Sequence, residues 1–189
     1  SYVPGKPIPK RKLRYTLEVI EVDGSLICVN TQRPNALVDE ALRAGRVPAF
    51  AGFDVRREVK FGESRLDFLL TAPQPDAGQV WLEVKNATMG VGGGVTRFPD
   101  ARTTRGTRHV RELMAAVEAG HRAVLFFCVG RDDTRVVQPA DDIDPVYGAT
   151  LRAAVAAGVE VLAHRVEIVP SASRLQMTDP VPVDLTPWV

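Results

Sequence analysis

The sequence predicts an α/β fold in which helices pack against a mixed β-sheet. Two observations carry this prediction. Several short runs alternate apolar with polar or charged residues, which is typical of β-strands. Longer segments repeat apolar residues every three or four positions, which is typical of amphipathic helices. Because strands come first and then alternate with helices, we expect both antiparallel and parallel strand neighbours.

Local signals mark where the expected elements begin and end. In order, the elements are strands at 14–21 and 25–29, a helix over 35–44, strands near 54–61, 65–71 and 79–85, a helix over 103–119, a strand over 122–129, a helix over 145–157 and a strand over 159–169. The Asp-Gly pair at 23–24 favours a tight hairpin turn, and Gly45 is typical of a helix end. Asp144 followed by Pro145 is typical of a helix start. We expect the glycine-rich segment 87–100 to be an irregular loop.

The bulk composition is that of an ordinary globular protein. A chain of 189 residues is long enough for one domain with a sizeable core. Its longest apolar run, 123–129, is too short to cross a bilayer, and no signal-peptide pattern is visible. Cys28 and Cys128 lie in apolar runs, so we expect buried free thiols. These observations predict a cytoplasmic protein that does not bind membranes.

Positive charge is concentrated in two segments, although the net charge is only +1. Segment 6–14 contains no acidic residue, and segment 97–111 contains only Asp100; elsewhere acidic residues outnumber basic ones. Such a distribution is typical of a surface that binds a nucleic-acid backbone, although solvated charge on a tail and a helix is the alternative. The candidate nucleic-acid-binding residues are Lys10, Arg11, Lys12, Arg97, Arg102, Arg105, Arg108, His109 and Arg111.

Three charged residues interrupt two apolar, strand-like runs, and they are the strongest functional signal in the chain. Side chains alternate along a strand, so Glu83 and Lys85 should face the same way, and Asp67 should project opposite to Leu66 and Phe68. Burying two carboxylates and an ammonium costs free energy unless the charges pair or bind a cation. We therefore predict a divalent metal site suited to phosphodiester cleavage.

The expected cation is Mg²⁺ or Mn²⁺, because both prefer oxygen ligands. Asp67, Glu83 and the carbonyl of Val84 are the candidate ligands. Lys85 is expected to orient the attacking water or to stabilise charge in the transition state. A structural salt-bridge network of the same side chains is the alternative.

Glu58, on the preceding strand, is a further candidate catalytic residue. If that strand alternates regularly, Glu58 shares a face with Arg56 and Lys60. It would then serve as an extra ligand or as a water-positioning acid. An ion pair across the hairpin, with Arg65 or Lys60, is an equally open alternative.

Several motifs give the chain a family resemblance from about Lys10 to Arg165. They are NT at 30–31, REVKFG at 57–62, SRLDFLL at 64–70, EVKN at 83–86, FPDA at 98–101, Thr104 with Gly106 and His109, RELM at 111–114, GHRAV at 120–124, IDP at 143–145 and GVEVLA at 158–163. On these residues the chain resembles the sugar fermentation stimulation protein A family. The resemblance implies a restriction-endonuclease-like (PD-(D/E)XK) domain, preceded by a small OB-fold-like domain that binds DNA.

The resemblance also implies how the chain divides. Residues 1–29 would be the C-terminal remnant of the OB-like domain and a linker, 30–169 the nuclease-like domain, and 170–189 a proline-rich tail that adds edge strands. The resemblance would then mean that most of the OB-like domain is missing from the chain as given. The chain also departs from the family pattern at the start of the long helix, where Thr104 and Thr107 stand in place of Glu and Gln.

Three functions compete at this stage. The first is a metal-dependent nuclease that cuts DNA, or RNA, with little sequence specificity; the resemblance implies it, and intact Asp67, Glu83 and Lys85 favour it. The second is a DNA-binding protein that regulates sugar metabolism genes without turnover, and it predicts metal-independent affinity with a steep salt dependence. The third is a phosphohydrolase for a small nucleotide, which the two extended basic segments disfavour.

Overall fold

The computed structural model of the protein describes residues 15–74 and 78–187. The strands are β1 (Val19–Val22), β2 (Ser25–Cys28), β3 (Asp54–Phe61), β4 (Ser64–Thr71), β5 (Gln79–Ala87), β6 (Met89–Gly90), β7 (Val95–Phe98), β8 (Arg122–Val129), β9 (Val136–Pro139), β10 (Glu160–Val169) and β11 (Arg174–Pro180). The helices are α1 (Arg33–Arg43), α2 (Thr104–Glu118) and α3 (Pro145–Ala156). None of the described helices is long and apolar enough to cross a membrane.

A six-stranded sheet in the order β11-β10-β8-β5-β4-β3 organises the molecule. Strand β8 runs parallel to both of its neighbours, β5 and β10, whereas β3, β4 and β11 pair antiparallel. The sheet is therefore mixed, and the predicted α/β class is confirmed. Helix α2 connects β5 to β8 and α3 precedes β10, as expected for crossovers between parallel strands.

The sheet separates two apolar cores. The first core lies on the α1 side and includes Leu37, Val38 and Phe126. The second core lies on the side of α2 and α3 and includes Leu113 and Phe127. Neighbouring residues of β8 therefore pack into opposite cores, and every residue of β8 after its first is buried. This is the pattern expected of a central strand covered on both faces.

The glycine-rich segment 87–100 was predicted to be an irregular loop, and that prediction is wrong. It contains β6 and β7, which pair with each other, while β7 also pairs parallel with β9. Alternation over two to four residues is too short to predict a strand, and the glycines around the β6–β7 turn favour a loop. Strand β11 forms an edge of the main sheet.

The regular alternation of side chains along β3 is interrupted at Glu58, so that positions after it lie on the opposite face of the sheet from the one that alternation would give. Glu58 has a left-handed backbone with φ of 52°. Before this residue Val55 packs into the first core, whereas Val59 after it packs against the second core. On β4, Leu66 lies in the second core and Phe68 in the first. The regular alternation predicted for β3 and β4 is therefore wrong at this point. Glu58 does not share one face with Arg56 and Lys60, nor do Leu66 and Phe68 share a face opposite to Asp67.

One buried carboxylate joins the starts of two helices. Asp144 Oδ1 accepts the Tyr147 backbone N–H at 2.9 Å and so caps α3. Its Oδ2 accepts the Thr103 backbone N–H at 2.8 Å, and Thr103 in turn caps α2 by accepting from Gly106. The start of α2 is therefore fixed to the start of α3.

We expect Asp144→Ala to lower the free energy of unfolding by about 2–4 kcal/mol, because it removes a helix cap and a second charge-assisted hydrogen bond. Asp144→Asn keeps one acceptor oxygen and should lose about half as much. Urea unfolding checks both values, with the exposed Asp179→Ala as control. If Asp144→Ala matched that control, the carboxylate would not be joining the helices.

Candidate active site

Asp67 lies where strands β4 and β5 separate. Their pairing runs from Thr71 and Gln79 as far as Phe68 and Leu82. Past that point the Asp67 side chain takes the place of a β4 backbone acceptor: its Oδ2 accepts the backbone N–H of Val84 in β5 at 2.8 Å. The carboxylate therefore fills the gap that opens between the two strands.

Asn35, in the first turn of α1, holds the other oxygen of Asp67. Its Nδ2 donates to Asp67 Oδ1 at 2.7 Å. Burial and, next, the nearby charge of Glu83 raise the pKa of Asp67 to about 6, although the hydrogen bonds from Val84 and Asn35 oppose the rise. Asp67 is thus held in one orientation at a position where its ionised form is destabilised.

Glu83 and Lys85 lie on the face of β5 that is turned toward the second core and toward helix α2. Glu83 is 3 % exposed and the Lys85 side chain is 11 % exposed. Lys85 Nζ donates to Glu83 Oε1 at 2.6 Å, and His109 Nδ1 of α2 contacts the same oxygen. Burial alone would raise the pKa of Glu83, but His109 and Lys85 together hold that pKa below its ordinary value. Glu83 therefore carries its negative charge inside the protein.

The second oxygen of Glu83 is left without a partner by the described part of the chain. Glu83 Oε2 is buried and accepts no hydrogen bond from any described residue. Ionised Asp67 and Glu83 outweigh the single positive charge of Lys85, so the cluster is short of one cation. A bare carboxylate oxygen beside excess negative charge suits a hard divalent ion.

The protein side chains alone do not complete a metal cage. Among the residues that the structure describes, no group of three or more His, Cys, Asp or Glu side chains is arranged to hold a metal. Mg²⁺ is commonly held by one or two carboxylates, with water and substrate phosphate as its remaining ligands. Asp67 and Glu83 fit that pattern, and the Val84 carbonyl as a third ligand stays a prediction.

Comparison with known proteins identifies the family. The family model described as "Sugar fermentation stimulation protein RE domain" matches residues 32–172. The chain belongs to this family.

Relatives in the sugar fermentation stimulation family align over most of the chain. The homolog from Teredinibacter turnerae is 52% identical over 167 residues, which cover 87% of this chain and 70% of the relative. The homolog from Geobacter sulfurreducens is 49% identical over 177 residues, covering 93% and 73%. The structure of Pyrococcus furiosus SfsA in complex with Ca²⁺ matches with a TM-score of 0.85 and 27% identity, and covers 95% of this chain and 76% of that one. The predicted family and fold class are confirmed.

Among the described residues, Glu58 makes no hydrogen bond or ion pair with Asp67 or Glu83. It lies opposite Asp67 across the β3–β4 hairpin, between the pairs Arg57–Phe68 and Val59–Leu66. Its side chain is exposed and makes no hydrogen bond or ion pair with the described residues. The alternative ion pair with Arg65 or Lys60 is therefore not formed either, and a catalytic role for Glu58 stays a prediction.

The predicted nucleic-acid-binding arginines are exposed around the first half of α2, with one exception. Those exposed are Arg102, Arg105, Arg108 and Arg111. Arg97 of β7 is only 16 % exposed and lies 3.7 Å from the Asp142 carboxylate. His109, 4 % exposed, faces Glu83 inside the protein. Lys10, Arg11 and Lys12 lie outside the described residues.

Sequence reasoning missed Asn35 as a site residue. Asn35 is the first residue of the predicted helix 35–44, a position where a polar side chain is common without any role in a site. Asn35 and Asp67 are 32 positions apart, so no local pattern connects them. The one available signal was a polar side chain in the first turn of a helix whose next residues are apolar.

Proposed function

We propose that this sugar fermentation stimulation family member is a divalent-metal-dependent nuclease that hydrolyses DNA with little sequence specificity. Mg²⁺ or Mn²⁺ is the proposed cation, and RNA is a second substrate to be tested. The observation that carries the proposal is the bare, buried Oε2 of Glu83, on a strand whose next residue donates to Asp67 and whose Lys85 contacts the other Glu83 oxygen.

Each residue of the site has a part in the proposed hydrolysis. Asp67 and Glu83 would hold the cation, which when bound lowers the pKa of water and neutralises phosphate charge. Val84 N–H and the Asn35 amide keep the Asp67 carboxylate in place. Lys85, whose ammonium contacts Glu83, would orient the attacking water or stabilise charge on the phosphate.

The related Pyrococcus furiosus structure supports a divalent ion here. That protein is described in complex with Ca²⁺, an ion that takes oxygen ligands as Mg²⁺ does. The exposed arginines at the start of α2 support an extended polyanionic substrate, because guanidinium groups bind phosphate without distinguishing bases.

Cleavage assays test the proposal directly. Supercoiled plasmid, single-stranded DNA and RNA would each be incubated with Mg²⁺, Mn²⁺ or EDTA. We expect the wild type and the exposed control Glu167→Gln to cut DNA only with metal, and Asp67→Ala to cut about 10²-fold more slowly or not at all. Wild type that binds DNA in EDTA but cuts nothing with either metal would instead favour the regulator.

A further inference from the structure

Arg105 and His109 extend the site beyond the residues that would touch a metal. They lie four residues apart on α2 and therefore share a helix face. Arg105 Nε donates to His109 Nε2 at 3.4 Å. His109 Nδ1 contacts Glu83 Oε1, which also accepts from Lys85. These contacts form a continuous series from exposed Arg105 through His109 to Glu83, whose Oε1 also accepts from Lys85.

The contact with Arg105 determines which nitrogen of His109 carries the proton. An arginine Nε–H can only donate, so His109 Nε2 must be the accepting, unprotonated nitrogen. The ring proton therefore lies on Nδ1 and points at Glu83 Oε1. Lys85 Nζ and His109 Nδ1, 3.4 Å apart, are then both donors to the same oxygen.

We propose that Arg105 and His109 are positioning residues that orient Glu83 for the cation. With Oε1 taken by two donors, the carboxylate cannot rotate without losing both, and Oε2 is kept bare. Groups that hydrogen-bond a ligand in this way tune its metal affinity. The inference rests on the proposed function, and it assigns His109 to the carboxylate rather than to nucleic acid.

The protonated nitrogen can be measured without any metal or substrate. The chain has three histidines, so long-range nitrogen–proton NMR spectra in EDTA can be assigned with His121→Gln and His109→Asn. We expect the His109 proton on Nδ1 and a bare Nε2 at neutral pH. In Arg105→Ala, an exposed substitution, the proton should redistribute toward Nε2. A wild-type ring protonated on Nε2 overturns the proposal.

Metal affinity provides the second readout. Calorimetric titration of Mn²⁺ into the nucleic-acid-free chain should show about 10- to 100-fold weaker binding for His109→Ala. His109→Asn places an amide N–H near the position of Nδ1 and should recover most of that loss. His109→Gln places its amide near Nε2 and should resemble His109→Ala. Thermal unfolding in EDTA identifies any variant that fails to fold.

The possible outcomes separate this inference from the proposed function. If the wild type binds Mn²⁺ and His109→Ala binds equally well, only the positioning role fails. If Ala, Asn and Gln variants weaken binding equally while remaining folded, the Nδ1 donor is not responsible and the proposal is overturned. If the wild type binds no Mn²⁺, the nuclease proposal fails first, and the positioning role fails with it.

Discussion

Lys85→Ala should slow phosphodiester hydrolysis by about 10²–10³-fold without weakening metal binding. The Lys85 ammonium is buried against Glu83 Oε1 and is the one positive charge that this strand contributes to the site. Its removal takes away a group that would act on water or phosphate in the transition state. It also leaves the two carboxylates less neutralised, while His109 still contacts Glu83 Oε1, so the affinity for a cation should stay equal or increase.

Single-turnover cleavage under saturating Mn²⁺ measures the rate, and calorimetry measures the metal affinity of the same samples. Lys60→Ala, which removes an exposed lysine of β3, is the matched control and should match the wild type. Asp67→Ala, by contrast, should lose both rate and affinity. A Lys85→Ala protein that lost both in the same way would mean that the lysine only supports the carboxylates.

The contribution of Asp67 to the stability of the metal-free protein should decrease as the pH rises from about 4 to about 6. Burial and the charge of Glu83 raise the pKa of this carboxyl from 3.8 to about 6 in the folded protein. Between those values the folded state binds more protons than the unfolded state, so the stability that Asp67 contributes at low pH is lost as the pH rises through 6. The full effect is about 2–3 kcal/mol.

Urea unfolding of wild type and Asp67→Ala in EDTA, across this pH range, isolates the effect as the difference between the two curves. The wild type should fall relative to the variant as the pH increases. Saturating Mg²⁺ or Mn²⁺ at neutral pH should then stabilise the wild type and leave the variant unchanged. Two parallel pH curves would show that Asp67 ionises as readily in the folded protein as in the unfolded chain.

The sequence predicted the parts of the molecule that depend on local pattern. Helical spacing and apolar alternation placed α2, α3 and the strands of the main sheet to within a few residues. Asp67, Glu83 and Lys85 were predicted to be close together because charged residues in apolar strand-like runs need partners. The structure brings Glu83 and Lys85 into contact, and both oxygens of Asp67 into hydrogen bonds beside them.

The parts that were missed depend on contacts between distant segments. His109 was a candidate for binding nucleic acid, and no local pattern connects it with Glu83, 26 positions away, against which it is buried. The reversal at Glu58 was missed because its φ of 52° is a conformation that local sequence disfavours for a residue other than glycine. Such strain persists where the surrounding contacts determine the backbone, and here Glu58 lies directly opposite Asp67.

The reversal within the β3–β4 hairpin makes the two cores depend on each other during unfolding. One half of the hairpin packs into the α1-side core and the other half into the α2/α3-side core. Neither layer can therefore detach and leave the other intact, since the same two strands support both. We expect the described part of the chain to melt in a single cooperative step, in which the gap that holds Asp67 is lost together with the whole sheet.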